Sequence, residues 1–152
     1  MIYKSKAILE PKMSYTRSQS NEKKLNCMFL IDDNEIDNYI NKKMVIENDL
    51  CTNLHIFDSG NKAVDFILKS DIANLPSPDI ILLDLNMPGY NGFEVLSHIE
   101  DRLLEKNPKL KTIFLTTSIN PSDKEEAKKY KTYHSFMNKP LVIQELIKVL
   151  SE

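Results

Sequence analysis

From residue 25 onward, short apolar runs alternate with longer segments whose apolar residues recur every three or four positions. Short apolar runs are typical of strands, and the longer spacing is typical of helices that bury one side. The pattern predicts strands at 25–31, 52–58, 78–85, 111–117 and 134–138. It predicts helices at 34–49, 59–70, 91–105 and 120–130, and a last helix from Pro140 onward.

Two of these helices carry apolar stripes that mark the side of an amphipathic helix packing on a neighbouring layer. The stripe of the first helix consists of Ile36, Tyr39, Ile40 and Met44, with charged residues between them. The stripe of the third helix consists of Phe93, Leu96, Ile99 and Leu103.

Strands and helices alternate strictly along this part of the chain. Such alternation predicts a five-stranded parallel sheet with helices on both faces, which is a doubly wound α/β fold. Right-handed crossovers restrict its topology further. In such open sheets, functional residues gather at the carboxyl ends of the strands, near the point where the strand order reverses.

Residues 1–24 are polar and aperiodic, and we expect a flexible extension there, ahead of a folded domain at 25–152. With 41% hydrophobic and 28% charged residues, the 152-residue chain has the composition of a globular protein. Its formal net charge of −2 gives no general attraction to nucleic acid or to anionic membranes. The sequence has neither the ~20 consecutive apolar residues of a membrane span nor the apolar core of a signal peptide, so we expect a cytoplasmic location.

Polar side chains with useful chemistry lie at the ends of four of the predicted strands. Asp32 and Asp33 follow the first, Asp84 lies at the end of the third, Thr116 lies at the end of the fourth and Lys139 follows the fifth. Because the carboxyl ends of parallel strands meet at one rim, we expect these groups to converge. Taken singly, an acidic pair after a strand is more often a helix cap, and a threonine or a lysine there is ordinary. The combination of complementary groups favours a site.

Three neighbouring carboxylates repel one another, and a divalent cation relieves that repulsion. Mg²⁺ favours hard oxygen ligands, which Asp33, Asp84 and the backbone carbonyl of Asn86 can supply. Asp32 can act directly or through a water molecule. Asp84 then becomes a nucleophile that can capture a phosphoryl group covalently, while the cation, the ammonium group and the hydroxyl at this rim neutralise the phosphoryl oxygens.

Four segments resemble the receiver domain of two-component response regulators. They are FLIDDN (29–34), ILLDLNMPGYNGFEVL (81–96), IFLTTS (113–118) and FMNKP (136–140), in the order and approximate spacing of that family. The resemblance covers about residues 26–151 and is most specific where the third strand continues into M-P-x-x-x-G. It implies a flavodoxin-like receiver fold whose five strands have the order 2-1-3-4-5.

The resemblance implies a role for each matching acidic residue. Asp84 resembles the phospho-accepting aspartate of the family. Asp32 and Asp33 resemble the acidic pair that binds Mg²⁺ together with that aspartate, and Asn86 resembles the residue whose backbone carbonyl completes the protein ligands. Mn²⁺ is an alternative ion for the same ligands.

Three further residues match the switching parts of the family. Lys139 resembles the lysine that contacts the phosphoryl group, and Thr116 resembles the switch hydroxyl. Phe136 stands at the position of the aromatic switch, where its ring can move inward but has no hydroxyl to hydrogen-bond. Thr117 replaces a residue that is often smaller, so we expect narrower access to the phosphoacceptor. Asn91 replaces a common aspartate, which we expect to affect only the turn.

The implied function is that of a stand-alone response regulator, a phospho-accepting signalling protein rather than an enzyme. The expected donor is a sensor histidine kinase or a histidine phosphotransfer protein. The expected output is a surface change around 120–150 that binds a partner protein, or onward transfer in a phosphorelay. Because the chain ends at Glu152, directly after the last predicted helix, we expect no DNA-binding or enzymatic output domain. The alternative is a receiver fold used as an unphosphorylated docking module.

Two other classes of protein fit the sequence less well. A phosphatase of the haloacid dehalogenase type uses a strand-end aspartate but needs a second aspartate two residues later, where this chain has Asn86. A flavodoxin-like nucleotide binder needs a glycine- or hydroxyl-rich phosphate loop after the first strand. That position holds Asp32, Asp33 and Asn34, whose charge is wrong for a phosphate.

Overall fold

The computed structural model describes residues 1–4 and 24–152. The strands are β1 (Ile2–Lys4), β2 (Leu25–Ile31), β3 (Cys51–Phe57), β4 (Ile80–Leu83), β5 (Lys111–Thr116) and β6 (Tyr133–Asn138). The helices are α1 (Glu35–Glu47), α2 (Gly60–Lys69), α3 (Gly92–Lys106), α4 (Pro121–Ala127) and α5 (Ile143–Leu150). From residue 25 onward, every predicted strand and helix is present, with ends shifted by a few residues.

The described strands form one sheet in the order β1-β3-β2-β4-β5-β6. Strands β2 to β6 are parallel to their neighbours, and β1 is antiparallel to β3. The predicted α/β fold class is confirmed, and the parallel strands alone have the predicted order 2-1-3-4-5. The predicted number of strands was wrong, because β1 adds a sixth. The strand order reverses between β2 and β4, which places the ligand-binding crevice of such sheets at their carboxyl ends.

Strand β1 lies within the segment predicted to be a flexible extension. Ile2 pairs with His55 and Lys4 pairs with Asn53 on β3. Tyr3 packs against the core, and the ammonium of Lys42 on α1 lies 3.6 Å from the centre of its ring. Three residues are too few to show a periodic pattern, so the strand exists because the edge of β3 offers hydrogen bonds. The remainder of the predicted extension, 5–23, lies outside the described residues.

The core lies on both faces of the sheet, as the alternation of strands and helices predicts. One cluster packs β2 and β4 against α2 and α3, through residues such as Ile81, Leu83, Val64 and Leu96. The other packs the opposite sides of the same strands against α1 and α5, through Met28, Leu82, Val45 and Leu146. All four residues of β4 are therefore buried, and the strand is held rigidly. No helix within residues 1–4 and 24–152 combines the length and apolarity needed to cross a membrane.

Helix α1 presents a different face from the one that its apolar stripe predicts. Ile36 is 70% exposed, and Tyr39 and Ile40 are exposed as well, although Met44 packs partly against the core. The buried residues are Asn38, Asn41 and Val45. The side-chain amide of Asn38 donates a hydrogen bond of 2.7 Å to the backbone carbonyl of Asp32. This hydrogen bond at the start of the helix turns a polar stripe inward, and the first apolar residues face solvent.

Candidate functional site

The acidic residues at the site are delivered by adjacent strands that end in register. Ile31 of β2 pairs with Leu83 of β4, and each strand continues directly into an aspartate. The backbone N–H of Asp84 donates a 2.9 Å hydrogen bond to the carbonyl of Ile31, and that of Asp32 donates a 3.1 Å hydrogen bond to Phe57. Asp32 and Asp84 therefore stand side by side at the crevice between β2 and β4.

Asp32, Asp33 and Asp84 form one acidic cluster. Carboxylate oxygens from the three residues lie within 4.8 Å of one another. Asp32 and Asp84 are buried, whereas Asp33 is exposed. Two of the three carboxylates are thus enclosed, and the third faces solvent.

The surroundings of Asp84 oppose its negative charge. Burial, the principal cause, and the neighbouring charge of Asp32 raise the pKa of Asp84 to about 7, and Asp33 adds to the effect. The ammonium of Lys139 and a hydrogen bond from the backbone N–H of Asn86 act in the opposite direction. A cation bound beside Asp84 would favour its ionised, nucleophilic form.

The donor set of this cluster fits Mg²⁺, which takes hard oxygen ligands and one or two carboxylates. Both oxygens of Asp32 already have partners: Oδ1 accepts a 2.9 Å hydrogen bond from the N–H of Asn34, and Oδ2 lies 2.7 Å from Nζ of Lys139. Asp33 and Asp84 are therefore better placed than Asp32 to hold the ion directly. Mn²⁺ has similar preferences and suits the same oxygens.

Lys139 is fixed at this cluster by backbone and side chain alike. Its N–H donates a 2.9 Å hydrogen bond to the carbonyl of Thr116 at the end of β5. Its side chain is 11% exposed, and Nζ lies 2.7 Å from Asp32, 2.9 Å from Asp37 and 3.5 Å from Asp84. Burial lowers the pKa of Lys139, but the hydrogen bonds to Asp32 and Asp37 outweigh burial, so the net shift is upward. The ammonium remains charged.

Asp37 was not among the residues predicted from the sequence. It lies in the first turn of α1, where an acidic residue is usual because it interacts favourably with the helix dipole. The sequence signal that could have revealed it is its position four residues after Asp33, which is one helical turn. Its contact with Lys139 joins parts of the chain that are 102 residues apart.

The hydroxyl of Thr116 is buried at the end of β5 and has two donors. It accepts a hydrogen bond of 3.1 Å from the N–H of Ser118 and a longer one, of 3.5 Å, from the side-chain amide of Asn86. The hydroxyl of Ser118 in turn donates to the carboxylate of Asp123 in the first turn of α4. The predicted switch hydroxyl is thus connected to the turn after β4 through Asn86, and to α4 through Ser118 and Asp123. Sequence reasoning missed Asp123.

A protein-family model described as the response regulator receiver domain matches residues 28–151. The chain belongs to this family. Receiver domains are signalling modules, and they interact with histidine kinases or phosphotransfer proteins.

Curated relatives of this receiver domain include response regulators. Rcp1 of Synechocystis sp. is 34% identical over 100 residues, which cover 63% of this chain and 65% of Rcp1. The two-component response regulator 24 of Arabidopsis thaliana is 30% identical over 133 residues, which cover 85% of this chain and 84% of that protein. The chain spans less than two thirds of the first relatives, namely 65% of Rcp1 and 48% of the heme response regulator HssR of Staphylococcus epidermidis.

Solved structures of response regulators superpose on this receiver domain. A two-component response regulator from Cytophaga hutchinsonii has a TM-score of 0.72 at 27% identity, with 86% of this chain and 100% of that chain covered. The phosphorylated cyanobacterial phytochrome response regulator RcpA has a TM-score of 0.62 at 25% identity, with coverage of 83% and 89%.

Phe136 of the receiver domain lies in an aromatic cluster that joins β5, β6 and α3. Its half-buried ring is 6.1 Å from that of Phe114 on β5. Phe93 of α3 and Tyr130 stack in parallel at 5.8 Å, and the hydroxyl of Tyr130 donates a 3.0 Å hydrogen bond to the carbonyl of Phe93. A movement of Phe136 would therefore change the packing of Phe114 and, through this cluster, that of Tyr130 in the segment that follows α4.

The turn after Asp84 depends on two glycines and on a capped helix start. Gly89 has φ +72°, in the left-handed region that glycine adopts most readily. Gly92 begins α3 so close to the end of β4 that a Cβ atom there would lie 2.6 Å from the carbonyl oxygen of Asp84. Asn91 caps α3 and forms a capping box with Glu94. Asp84 thus lies directly against the start of α3.

Proposed function

We propose that this receiver domain is a phospho-accepting switch. A carboxylate oxygen of Asp84 attacks the phosphorus of a phosphohistidine on a histidine kinase or phosphotransfer protein. The P–N bond breaks, its electron pair stays on the imidazole nitrogen, and an acyl phosphate forms on Asp84. The observation that carries this proposal is the buried carboxylate of Asp84 at a strand end, between two further carboxylates and 3.5 Å from an ammonium group.

The residues around Asp84 have complementary tasks in this proposal. Asp33 and Asp84, together with the backbone carbonyl of Asn86, hold Mg²⁺, and Asp32 supports the site from its buried position. When bound, Mg²⁺ supplies positive charge that offsets the charge of the phosphoryl oxygens. The ammonium of Lys139 contacts another phosphoryl oxygen. Phosphoryl transfer needs little beyond such positioning and charge neutralisation.

The proposed switch runs from Thr116 to the face formed by α4, β6 and α5. The Thr116 hydroxyl leaves its present donors and donates to the phosphoryl group, and Phe136 turns inward as the loop before α4 shifts. The face that changes is strongly charged, because α4 and the residues after it carry the exposed ion pairs Lys128–Glu125 and Lys129–Glu126. We place the unidentified output partner on this 120–150 face, with onward transfer in a phosphorelay as the other route.

The phosphodonor is proposed to dock on the apolar rim beside the acidic cluster. A donor histidine must come within bonding distance of Asp84, so the donor protein covers the residues around the acidic cluster. Ile36 of α1, Ile119 after β5 and Val142 after Lys139 are exposed apolar residues in the segments that follow the strand ends at the acidic cluster. Exposed apolar groups at one rim are typical of a protein-binding surface.

Phosphorylation of Asp84 is tested by incubating the chain with Mg²⁺ and acetyl phosphate and measuring the intact mass. We expect the wild type to gain one phosphoryl group and Asp84→Asn to gain none, because an amide lacks the nucleophilic oxygen. Asp58→Asn is the control, since Asp58 is an exposed aspartate that follows the neighbouring strand β3. An unlabelled wild type would instead favour the unphosphorylated docking module, and equal labelling of Asp84→Asn would place the phosphoryl group elsewhere.

The docking rim is tested with Ile36→Ser and a histidine phosphotransfer protein that labels the wild type. We expect transfer from this protein to slow about tenfold, because an apolar contact of the interface is lost, and labelling by acetyl phosphate to stay unchanged. Leu68→Ser on α2 is the matched control, because Leu68 is also exposed and apolar. Equal rates for Ile36→Ser and Leu68→Ser would refute docking at this rim.

A further inference from the structure

Lys139 is shared among three carboxylates, and the phosphoacceptor is the most distant of them. Nζ lies 2.7 Å from Asp32 and 2.9 Å from Asp37, but 3.5 Å from Asp84. An ammonium group has three protons to donate. Among the described residues, the contacts to Asp32 and Asp37 are short enough for hydrogen bonds, whereas Asp84 is the longest ion-pair contact, so a phosphoryl oxygen on Asp84 must compete with Asp32 and Asp37 for the ammonium.

We infer that Asp37 is a positioning residue that restrains Lys139 and so slows the uptake of a phosphoryl group by Asp84. This inference rests on the proposed function, since it concerns the same reaction. Asp37 contacts Lys139 rather than the reacting atoms, and it acts only through the ammonium group.

Asp37 is the partner that Lys139 can release most readily. The side chain of Asp32 is only 2% exposed and also accepts a hydrogen bond from the N–H of Asn34, so losing the ammonium would leave a buried charge uncompensated. Asp84 must stay within reach, because it carries the incoming group. The side chain of Asp37 is 34% exposed, and water can solvate it when Lys139 departs. Uptake of the phosphoryl group therefore exchanges the Asp37 contact for a phosphoryl contact.

The restraint is effective because Asp37 is held in place. The side chain of Asn34 caps α1 and accepts a 3.0 Å hydrogen bond from the N–H of Asp37. One residue later, Asn38 is buried and donates its amide to the carbonyl of Asp32. The first turn of α1 is thus pinned on both sides of Asp37, so the carboxylate does not follow Lys139 toward the phosphoryl group.

The same turn also carries part of the proposed donor surface. Ile36 is the immediate neighbour of Asp37 in the sequence and is exposed. A donor protein that covers Ile36 also approaches the partly exposed carboxylate of Asp37. A docked donor can therefore contact the carboxylate that restrains Lys139. A small phosphodonor makes no such contact, so the restraint stays fully in place.

The test measures the rate of labelling by acetyl phosphate at saturating Mg²⁺ for Asp37→Asn, which keeps the size of the side chain and removes its charge. We expect labelling about threefold faster than in the wild type, the scale of a partly exposed ion pair. Asp37→Glu keeps the charge, and we expect a rate close to that of the wild type.

Two further variants separate restraint from a general effect of charge or folding. Glu35→Gln removes a negative charge from the same helical turn, and Glu35 is exposed and outside the ion pairs of Lys139 among the described residues. We expect its rate to match the wild type within experimental error. In a Lys139→Met background, Asp37→Asn should have no further effect, because the lysine through which Asp37 acts is absent. The double-mutant cycle measures this coupling between the two residues. Thermal unfolding by circular dichroism checks that each variant is folded.

The outcomes are distinct from those of the proposed function. An unlabelled wild type would overturn both proposals together. A labelled wild type with an unchanged or slower Asp37→Asn would overturn the restraint alone. Equal acceleration by Glu35→Gln, or acceleration that persists without Lys139, would show a charge effect and would also overturn it.

Discussion

The Gly92→Ala variant is expected to lose about 3 kcal/mol or more of unfolding free energy, the upper range for overpacked sites. A Cβ atom at this position would lie 2.6 Å from the carbonyl oxygen of Asp84 and 3.1 Å from Cα of Leu85. Both neighbours are backbone, so relief requires moving the end of β4 or the start of α3. Helix propensity acts in the opposite direction, since alanine is favoured over glycine by about 1 kcal/mol in helix interiors.

The Gly92 prediction is checked by urea unfolding followed by circular dichroism. Glu105→Ala is the control, because it places alanine at an exposed position of the same helix. We expect its midpoint to stay close to that of the wild type. We also expect Gly92→Ala to reduce labelling of Asp84, because the displaced carbonyl belongs to the proposed phosphoacceptor itself. An unchanged midpoint would show that the turn relaxes at little cost.

Lys139→Met is expected to slow labelling by acetyl phosphate about 100-fold, the scale measured when one charge-stabilising donor is removed from an active site. Among residues 1–4 and 24–152, Lys139 is the cation paired with Asp84. Because it lowers the pKa of Asp84, its loss moves that pKa further upward, and less of the carboxylate is ionised at neutral pH. The nucleophile and the transferring group therefore lose the same stabilising charge.

The Lys139 prediction needs a control for removal of a lysine in general. Lys62→Met serves, because Lys62 is 69% exposed and pairs with Asp58 on the helix surface. Surface pairs contribute little to stability, so we expect its labelling rate to match the wild type. Raising the Mg²⁺ concentration should recover part of the rate of Lys139→Met by restoring positive charge. A rate within twofold of the wild type at low Mg²⁺ would contradict the role assigned to Lys139.

The position of the acidic cluster follows from a sequence pattern that is unusually direct. The four residues of β4 are apolar without alternation, which is typical of a strand buried on both faces. Such a strand must end at the rim of the sheet, and the residue that follows is Asp84. Asp32 follows β2 in the same way, so the two carboxylates are placed by strand geometry alone.

The orientation of α1 could not be predicted in this way. Its apolar residues have helical spacing, but the buried stripe contains Asn38, Asn41 and Val45. The rotation of the helix is set by Asn34 at its cap and by the hydrogen bond from Asn38 to Asp32. Local contacts at the start of a helix thus outweigh a weak apolar stripe. Asp37 was missed for a related reason, since its partner Lys139 lies 102 residues away.

Strand β1 gives the sheet outer edges of unequal length. Without it, β3 would present seven residues of unpaired backbone, and such an edge is a template for pairing with another chain. With it, the described sheet ends in the three residues of β1 on one side and the six residues of β6 on the other. Contact by strand addition is thereby directed to the β6 side, away from the flank that carries β1. An affinity tag fused before Met1 would lie next to the protected edge, whereas a tag after Glu152 would follow α5 on the proposed partner face, so a tag before Met1 is the safer choice for binding experiments.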